Sequence, residues 1–161
     1  LKAVCRCFGK EVLREVPEEA FLAALPEVRK AAGDRAVNRA FHIYAENRRA
    51  EAEGQALREG DFDRFLALVR DSGRSSAMYL QNVIPTGQTT AQELMLTIAL
   101  CESILEGWGA VRGHGGGFGG TAQAFVPLDM LDTFKEKTEA ALDQGSCHVV
   151  MIRPVGGVRL A

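Results

Sequence analysis

A glycine-rich run in the second half of the chain, GHGGGFGG at residues 113–120, constrains the fold more than any other feature. Six of its eight residues are glycine. Because glycine lacks Cβ and readily adopts positive φ, such a run permits close approach by another backbone or a ligand. Two β-prone segments flank it, one beginning at Ala110 and the other spanning Thr121 to Val126. The sequence therefore predicts a glycine loop that joins two strands of one sheet.

The glycines also match two nucleotide-binding patterns in part. Gly115, Gly117 and Gly120 satisfy G-x-G-x-x-G, but the dinucleotide fingerprint requires a helix directly after the third glycine. The residues that follow, TAQAFVP, are strand-like, and no Lys-Ser or Lys-Thr pair completes a phosphate-binding P-loop. Two interpretations remain. The loop either faces a ligand, with its amides able to form an anion-binding nest, or serves only as a hairpin connection.

The first half of the chain has helical periodicity. Pro17 and the two glutamates after it are typical of a helix start. Asp34 is predicted to cap a long helix reaching about Arg58, and Asp61 to cap the next helix after a stop at Gly60. Residues 71–88 carry mixed signals and end in the break Pro85-Thr86-Gly87. Another helix is predicted from Thr90 to Glu106, with Leu94, Ile98, Cys101 and Leu105 on its apolar face.

After the glycine loop, the pattern predicts an amphipathic helix from Pro127 to Gln144 and strands at Cys147–Ile152 and Val158–Leu160. Helices followed by β-loop-β-α-β-β indicate an α+β fold, with helices packed on a small antiparallel sheet. A chain of 161 residues fits one domain, residues 1–161.

Composition excludes several classes of function. A net charge of −2 and the lack of a basic stripe argue against a nucleic-acid partner. The most apolar stretch, Leu94 to Leu105, is interrupted by Thr97 and Glu102 and is too short for a bilayer, so we expect no membrane partner. The start at Leu1, without a secretion leader, predicts a fragment of a longer protein.

The four cysteines, Cys5, Cys7, Cys101 and Cys147, match no zinc spacing, and we expect no metal site in this chain. They are predicted to be free structural thiols, which favours a reducing, cytoplasmic location.

Several other side chains are candidates for function, each with a structural alternative. His114 could donate a hydrogen bond to a ligand, or face solvent. Arg112 could pair with phosphate, or be structural. His42 and Glu46 have the i,i+4 spacing of one helix face but lack the second pair that a metal site would need, and we interpret them as making an interlobe or helix-packing hydrogen bond. Trp108 is interpreted as a core anchor, and the charged run from Glu46 to Glu59 as a solvated helix face. A polar patch precedes the irregular segment and consists of Arg74, Ser75, Ser76 and Tyr79.

The segment VRGHGGGFGGTAQAFVP resembles the third conserved motif of galactokinases, in the GHMP family of small-molecule kinases, whose usual form is close to R-M-T-G-G-G-F-G-G-C. Gly115 to Gly120, including Phe118, match its core, and Arg112 matches its arginine. Four further segments resemble the family in the same order along the chain: LREVPEEAF, FHIYAENRR, ALREGDFDRFLALVRDS and CHVVMIRPVGGVRL.

The chain departs from the family pattern near the glycine loop. Gly113 and His114 stand where Met and Thr are usual, and Thr121 where Cys is usual. QNVIPTG replaces a serine-cysteine-proline segment, and Ser72-Gly73 replaces Ser-His. These differences suggest a divergent branch of sugar kinases and leave open whether galactose, which the resemblance implies, is its substrate.

The resemblance implies a two-lobed kinase in which this chain is the ferredoxin-like C-terminal domain. The N-terminal lobe would be its partner and would supply the catalytic aspartate, so no catalytic residue is expected here. It would also bind most of the ATP and Mg²⁺. The loop Gly115, Gly116, Gly117, Phe118, Gly119 and Gly120 would line the cleft, with Arg112, His114, Arg74, Ser75, Ser76 and Tyr79 as candidate contacts. The alternatives are a non-catalytic sugar or ATP sensor and a kinase for a related sugar such as an amino sugar.

Overall fold

The computed structural model describes residues 1–118, 120–152 and 155. Helices α1 (Lys2–Arg6), α2 (Glu18–Ala23), α3 (Leu25–Ala32), α4 (Asp34–Glu59), α5 (Phe62–Ser75) and α6 (Glu93–Leu105) precede strands β1 (Ala110–His114) and β2 (Thr121–Phe125) and helix α7 (Leu131–Ala141). Short 3₁₀ turns lie at Leu13–Glu15 and Leu128–Met130, and a π-helical turn spans Ser76–Leu80. The predicted α+β class is confirmed, since helices pack on a small antiparallel sheet.

The first three helices pack on the N-terminal half of α4. The Phe21 ring is fully buried and meets Phe41 edge-to-face, with 5.2 Å between ring centroids. The Tyr44 hydroxyl donates a 2.9 Å hydrogen bond to the carbonyl of Val16 and so fixes the chain that leads into α2. The buried members of this core are Val4, Cys5, Leu13, Val16, Phe21, Val28, Val37, Ala40 and Tyr44.

The caps predicted between α4 and α5 are found in the structure, whereas the one predicted at the start of α4 is not. Gly60 ends α4 in the left-handed conformation at φ +71°, and Asp61 caps α5 by accepting from the Arg64 amide at 3.0 Å; both predictions are confirmed. The predicted cap at Asp34 is wrong. Its carboxylate accepts a 2.5 Å hydrogen bond from Arg29 Nε instead, while Gly33 precedes the helix at φ +82°. That hydrogen bond and the arginine charge lower the pKa of Asp34.

Gly54 lies inside α4 with ordinary helical geometry, and a Cβ there would meet only the movable end of the Arg58 side chain, at 3.4 Å. We expect Gly54→Ala to raise the free energy of unfolding by about 0.5–1 kcal/mol, because alanine loses less backbone entropy in a helix. Urea unfolding measures the change. Gly60→Ala, at positive φ on the same helix, is the matched control and should destabilise. A stability loss in Gly54→Ala would contradict this interpretation.

Strands β1 and β2 form an antiparallel pair whose register runs from Ala110 opposite Phe125 to His114 opposite Thr121. Helix α5 crosses β1 very closely at Gly73, where a Cβ would lie 3.0 Å from the Val111 carbonyl oxygen. This close approach explains why the position lacks a side chain. Two buried clusters meet at the sheet, one with Ala56, Phe65, Leu66, Val69 and Ala110, the other with Cys101, Leu105, Val111 and Phe134.

The end of the chain differs from the prediction. Residues 147–152 do not form a strand, and Val149, Val150, Met151 and Ile152 are 60–93% exposed. β-branched residues favour a pleated, half-buried surface, and in the described part of the chain no strand pairs with this run. The predicted strand at 158–160 lies outside the described residues. Helix α7 is shorter at both ends than the predicted Pro127–Gln144.

Three side-chain predictions also need correction. Trp108 is 73% exposed and is no core anchor, because α6 ends at Leu105 and Trp108 follows the left-handed residues Glu106 and Gly107, outside the buried face of that helix. The charged run on α4 is not simply solvated, since Glu46 and Arg49 keep only 24% and 16% of their side-chain surface exposed. All four cysteines are free as predicted, but Cys7 is exposed. Burial raises the pKa of Cys101, a member of the second cluster, and of Cys147, which packs against that cluster.

Candidate functional site

The glycine run forms the tip of the β1–β2 hairpin, as the sequence predicts. Gly115 and Gly117 adopt φ +74° and +79°, values that L side chains rarely adopt. Gly115, Gly116 and Gly120 are exposed, so their peptide groups are accessible from outside. Strand β2 begins directly after Gly120. The dinucleotide fingerprint is therefore excluded, since no helix follows the third glycine to face a pyrophosphate.

One residue outside the hairpin holds its tip. The backbone carbonyl of Asn82 accepts a 2.6 Å hydrogen bond from the Phe118 amide. The Asn82 side chain accepts from Ser76 Oγ at 2.7 Å and directs its Nδ2 toward the carbonyl of Gly116 at 3.5 Å. Asn82 and Ser76 are both buried, so these bonds form away from bulk water. We call Ser76 and Asn82 the tip clamp.

Gly117 is where the hairpin tip and the tip clamp touch. A Cβ at this position would lie 2.8 Å from Asn82 Nδ2 and still closer to the Asn82 carbonyl oxygen. Phe118, next in the chain, is a non-glycine residue at φ +57° and is 46% exposed. Such a conformation in an aromatic residue is costly and persists only where neighbouring contacts impose it. Contacts with Asn82 thus constrain the backbone of the tip at Gly117 and Phe118.

A network of charged and polar side chains connects strand β1 of the hairpin to helices α4 and α5. Arg112 on β1 donates from Nη1 to Glu46 Oε1 on α4 at 3.3 Å, and from Nε to the Gly113 carbonyl at 3.2 Å. Glu46 also accepts from Arg49 Nε at 2.9 Å and from the hydroxyl of buried Ser72. Arg112 therefore pairs with protein rather than projecting freely, which supports its structural interpretation. We call Glu46, Arg49, Ser72 and Arg112 the charged network.

Two carboxylates of α4, Glu46 and Glu53, have pKa values that are shifted in opposite directions. Burial acts to raise the pKa of Glu46, but hydrogen bonds from Ser72 and Arg49 and the charges of Arg49 and Arg112 outweigh it, so the pKa is lowered. The pKa of Glu53 is raised, mainly by burial and then by the negative charge of Glu46. Glu53 Oε1 is buried and accepts no hydrogen bond within the described residues. Glu46 is therefore the ionised centre of the charged network.

His42 joins α4 to α5 beside this network. Its Nδ1 lies 2.9 Å from Ser75 Oγ, and both residues are buried. This is a helix-packing hydrogen bond, one of the two structural interpretations of His42, with Ser75 as a partner that the spacing to Glu46 does not indicate. Burial lowers the pKa of His42, the charge of Glu46 opposes the shift, and the charges of Arg49 and Arg112 add to it.

Because the pKa of folded His42 lies below its ordinary value of 6.5, the unfolded chain takes up a proton near that pH before the folded chain does. We expect stability to fall as pH drops below about 6.5, by at most about 1.4 kcal/mol per pH unit for one proton. Urea unfolding between pH 7.5 and 5.0 measures the slope. His42→Asn keeps a hydrogen-bonding group but cannot titrate, so its slope should be shallower. Equal slopes would contradict a role for His42.

The polar patch Arg74, Ser75, Ser76 and Tyr79 is divided by the structure. Ser76 belongs to the tip clamp, whereas the other three line a groove of about 640 Å³ beside α4 and α5. Asn38, Phe41 and Met78 are among the residues that share this groove, and none of its lining residues belongs to the glycine hairpin. Arg74 lies 3.8 Å from Asp71 and remains mostly exposed. His114 is exposed at the end of β1, beside the tip.

The sequence alone missed Asn82. It lies 34 residues from the Gly116 carbonyl that its side chain faces, so no periodic pattern links the two. The available signal was weak: an asparagine between a helical segment and the break Pro85-Thr86-Gly87 is typical of a turn.

Within residues 1–118, 120–152 and 155, no helix has the length and apolar character required to cross a membrane. In the same ranges, no three side chains of His, Cys, Asp or Glu come together in a way that could hold a metal ion. A scan of the chain against models of known protein families finds no match.

Proposed function

We propose that this chain is the C-terminal lobe of an ATP-dependent sugar kinase of the galactokinase type, and that the hairpin tip forms one wall of its active-site cleft. The observation that carries the proposal is the conformation of residues 115–118 and 120, which belong to the segment that resembles the galactokinase motif. They lie in a largely exposed hairpin tip between two antiparallel strands, and Gly115, Gly117 and Phe118 adopt positive φ.

The chemistry of phosphoryl transfer suits such an element. The reaction depends mainly on positioning and charge stabilisation, while Mg²⁺ bridges the phosphates when it is bound. An exposed tip without Cβ atoms allows a ligand to approach peptide groups closely, and their dipoles can stabilise negative charge. The rigid support at Asn82 and Arg112 would keep those groups in place during the reaction.

In this proposal, the N-terminal lobe binds most of the nucleotide and Mg²⁺ and supplies the catalytic base. Arg112 acts from below the tip by holding β1 on α4, and His114 is the candidate contact for the sugar or phosphate because it is exposed next to Gly115. His114 and Gly113 also mark where the chain departs from the galactokinase motif. A Cβ at Gly113 would make only an ordinary 3.6 Å contact with Leu94, so local packing does not require glycine there.

The test uses the full-length protein that contains both lobes. Phosphorus NMR follows ATP and Mg²⁺ incubated with galactose, glucose, galactosamine and N-acetylgalactosamine in parallel. Formation of one sugar phosphate supports the kinase and identifies its acceptor. ATP binding without phosphorylation of any sugar would overturn the kinase proposal and favour a sensor.

The isolated chain provides a second test. We expect it to fold but to phosphorylate no sugar, because the catalytic base is assigned to the other lobe. Circular dichroism establishes folding in the same sample that is assayed. Sugar phosphorylation by this chain alone would show that it is more than a C-terminal lobe.

A further inference from the structure

The segment after α5 brings Asn82 to the hairpin through an unusual backbone path. Helix α5 continues into the π-helical turn Ser76–Leu80, and Gln81 then adopts a left-handed conformation at φ +56°. π-Helical turns are uncommon and occur often at functional sites. Here the wider turn and the reversal at Gln81 direct Asn82 back onto the glycine tip.

The base of this segment is anchored independently of the hairpin. Arg39 Nε on α4 donates to the Leu80 carbonyl at 2.9 Å, and Arg35 donates to Thr86 Oγ1 at 3.0 Å. Val83, next to Asn82, is 2% exposed. The tip clamp therefore extends from a fixed part of the fold.

The hairpin tip, by contrast, buries little of its own surface. Gly115, Gly116 and Gly120 are exposed and carry no side chains that could pack. What constrains the tip from outside, among the described residues, is the Asn82 carbonyl on the Phe118 amide, the Asn82 amide facing Gly116, and the close contact at Gly117. Removal of the Asn82 side chain would remove its amide contact with the Gly116 carbonyl without opening a large core cavity.

We propose that Asn82 is a positioning residue for phosphoryl transfer, which fixes Gly116 to Phe118 in the orientation that the transition state needs. This inference rests on the proposed kinase function. Asn82 itself contacts neither reacting group; it acts through the tip, with Ser76 as the donor that orients its side chain. Misplacement of catalytic elements by about 1 Å can cost about 100-fold in rate.

The experiment compares steady-state kinetics of the full-length kinase with those of Asn82→Ala, Ser76→Ala and the double variant. We expect Asn82→Ala to lower kcat at least about 10-fold while KM for ATP and sugar changes less than about 3-fold. Ser76→Ala should lower kcat in the same direction. The double variant should resemble Asn82→Ala rather than show the product of both effects, since the two residues act as one unit.

Gln88→Ala is the matched control, because Gln88 is exposed and lies in the same segment. Within the described residues its side chain makes no hydrogen bond, and only its backbone carbonyl accepts one, from the Gln92 side chain. Gln88→Ala should leave kcat and KM unchanged. An Asn82→Ala enzyme that is folded by circular dichroism and retains wild-type kcat would overturn the inference. So would a kcat loss that is fully explained by the unfolded fraction.

A second readout separates this inference from the proposed function. If the wild-type protein phosphorylates no sugar, the kinase proposal fails, and so does the catalytic role of Asn82. Hydrogen exchange of the amides from Gly115 to Phe118 then tests the clamp itself. Faster exchange in Asn82→Ala but not in Gln88→Ala would support the Asn82 side chain as part of the constraint on the tip. Unchanged exchange would refute that role of the side chain, because the variant keeps the backbone carbonyl that accepts from the Phe118 amide.

Discussion

Under the kinase function proposed above, replacing Gly117 with alanine is expected to reduce sugar phosphorylation by the full-length protein about 100-fold or more. The new Cβ would lie far inside the van der Waals contact distance of the Asn82 carbonyl oxygen, and alanine would also have to adopt φ +79°. Backbone atoms cannot rotate away as a flexible side chain can, so the tip itself must move. Steady-state kinetics with ATP and the accepted sugar measure the loss in kcat.

The matched control lies one residue earlier. Gly116 has no atom within 4 Å of an added Cβ and no positive φ, so Gly116→Ala should fold normally and keep its contacts with Asn82. We expect its kcat to exceed that of Gly117→Ala by at least about 10-fold. Equal activity in the two variants would show that the conformation at Gly117 is not what matters.

Replacing Glu46 with alanine is expected to lower the free energy of unfolding by about 2–4 kcal/mol. The substitution removes the shared acceptor of Arg49, Arg112 and Ser72 and leaves two partly buried guanidinium groups without their carboxylate. The value lies below that of a fully buried ion pair, since Glu46 and Arg112 keep 24% and 26% of their side-chain surface exposed. Urea unfolding at pH 7 measures it.

Glu51 on the same helix provides the control, because it is exposed and forms no ion pair within the described residues. Glu51→Ala should change stability by no more than about 0.5 kcal/mol. The two variants should also differ in acid. The lowered pKa of Glu46 contributes stability above its ordinary value of 4.5 that is lost as pH falls through the folded pKa. Glu46→Ala lacks this contribution, so the difference in the free energy of unfolding between this variant and the wild type should become smaller toward pH 3.

The local elements of the fold could be predicted well from the sequence. The Gly60–Asp61 break, the apolar face of α6 and the strand after Gly120 depend on residue periodicity and on backbone preferences that act over a few residues. The wrong predictions share a cause, because each depends on which other residues a segment meets in the fold and not on its own residue types. Residues 147–152 have high β propensity but no paired strand within the described ranges, and Asp34 has a capping side chain that Arg29 engages instead.

The candidate site shows the same division. The sequence by itself determined the glycine tip, because six glycines between two β-prone segments permit a loop that few other compositions could form. Only the tertiary structure decided what holds that loop in place. Arg112 pairs with Glu46 across 66 residues, and Asn82 reaches Gly116 across 34. Such contacts depend on how α4, α5 and the π-helical turn pack against β1, and no local pattern of residue types encodes a distance between segments so far apart in the chain.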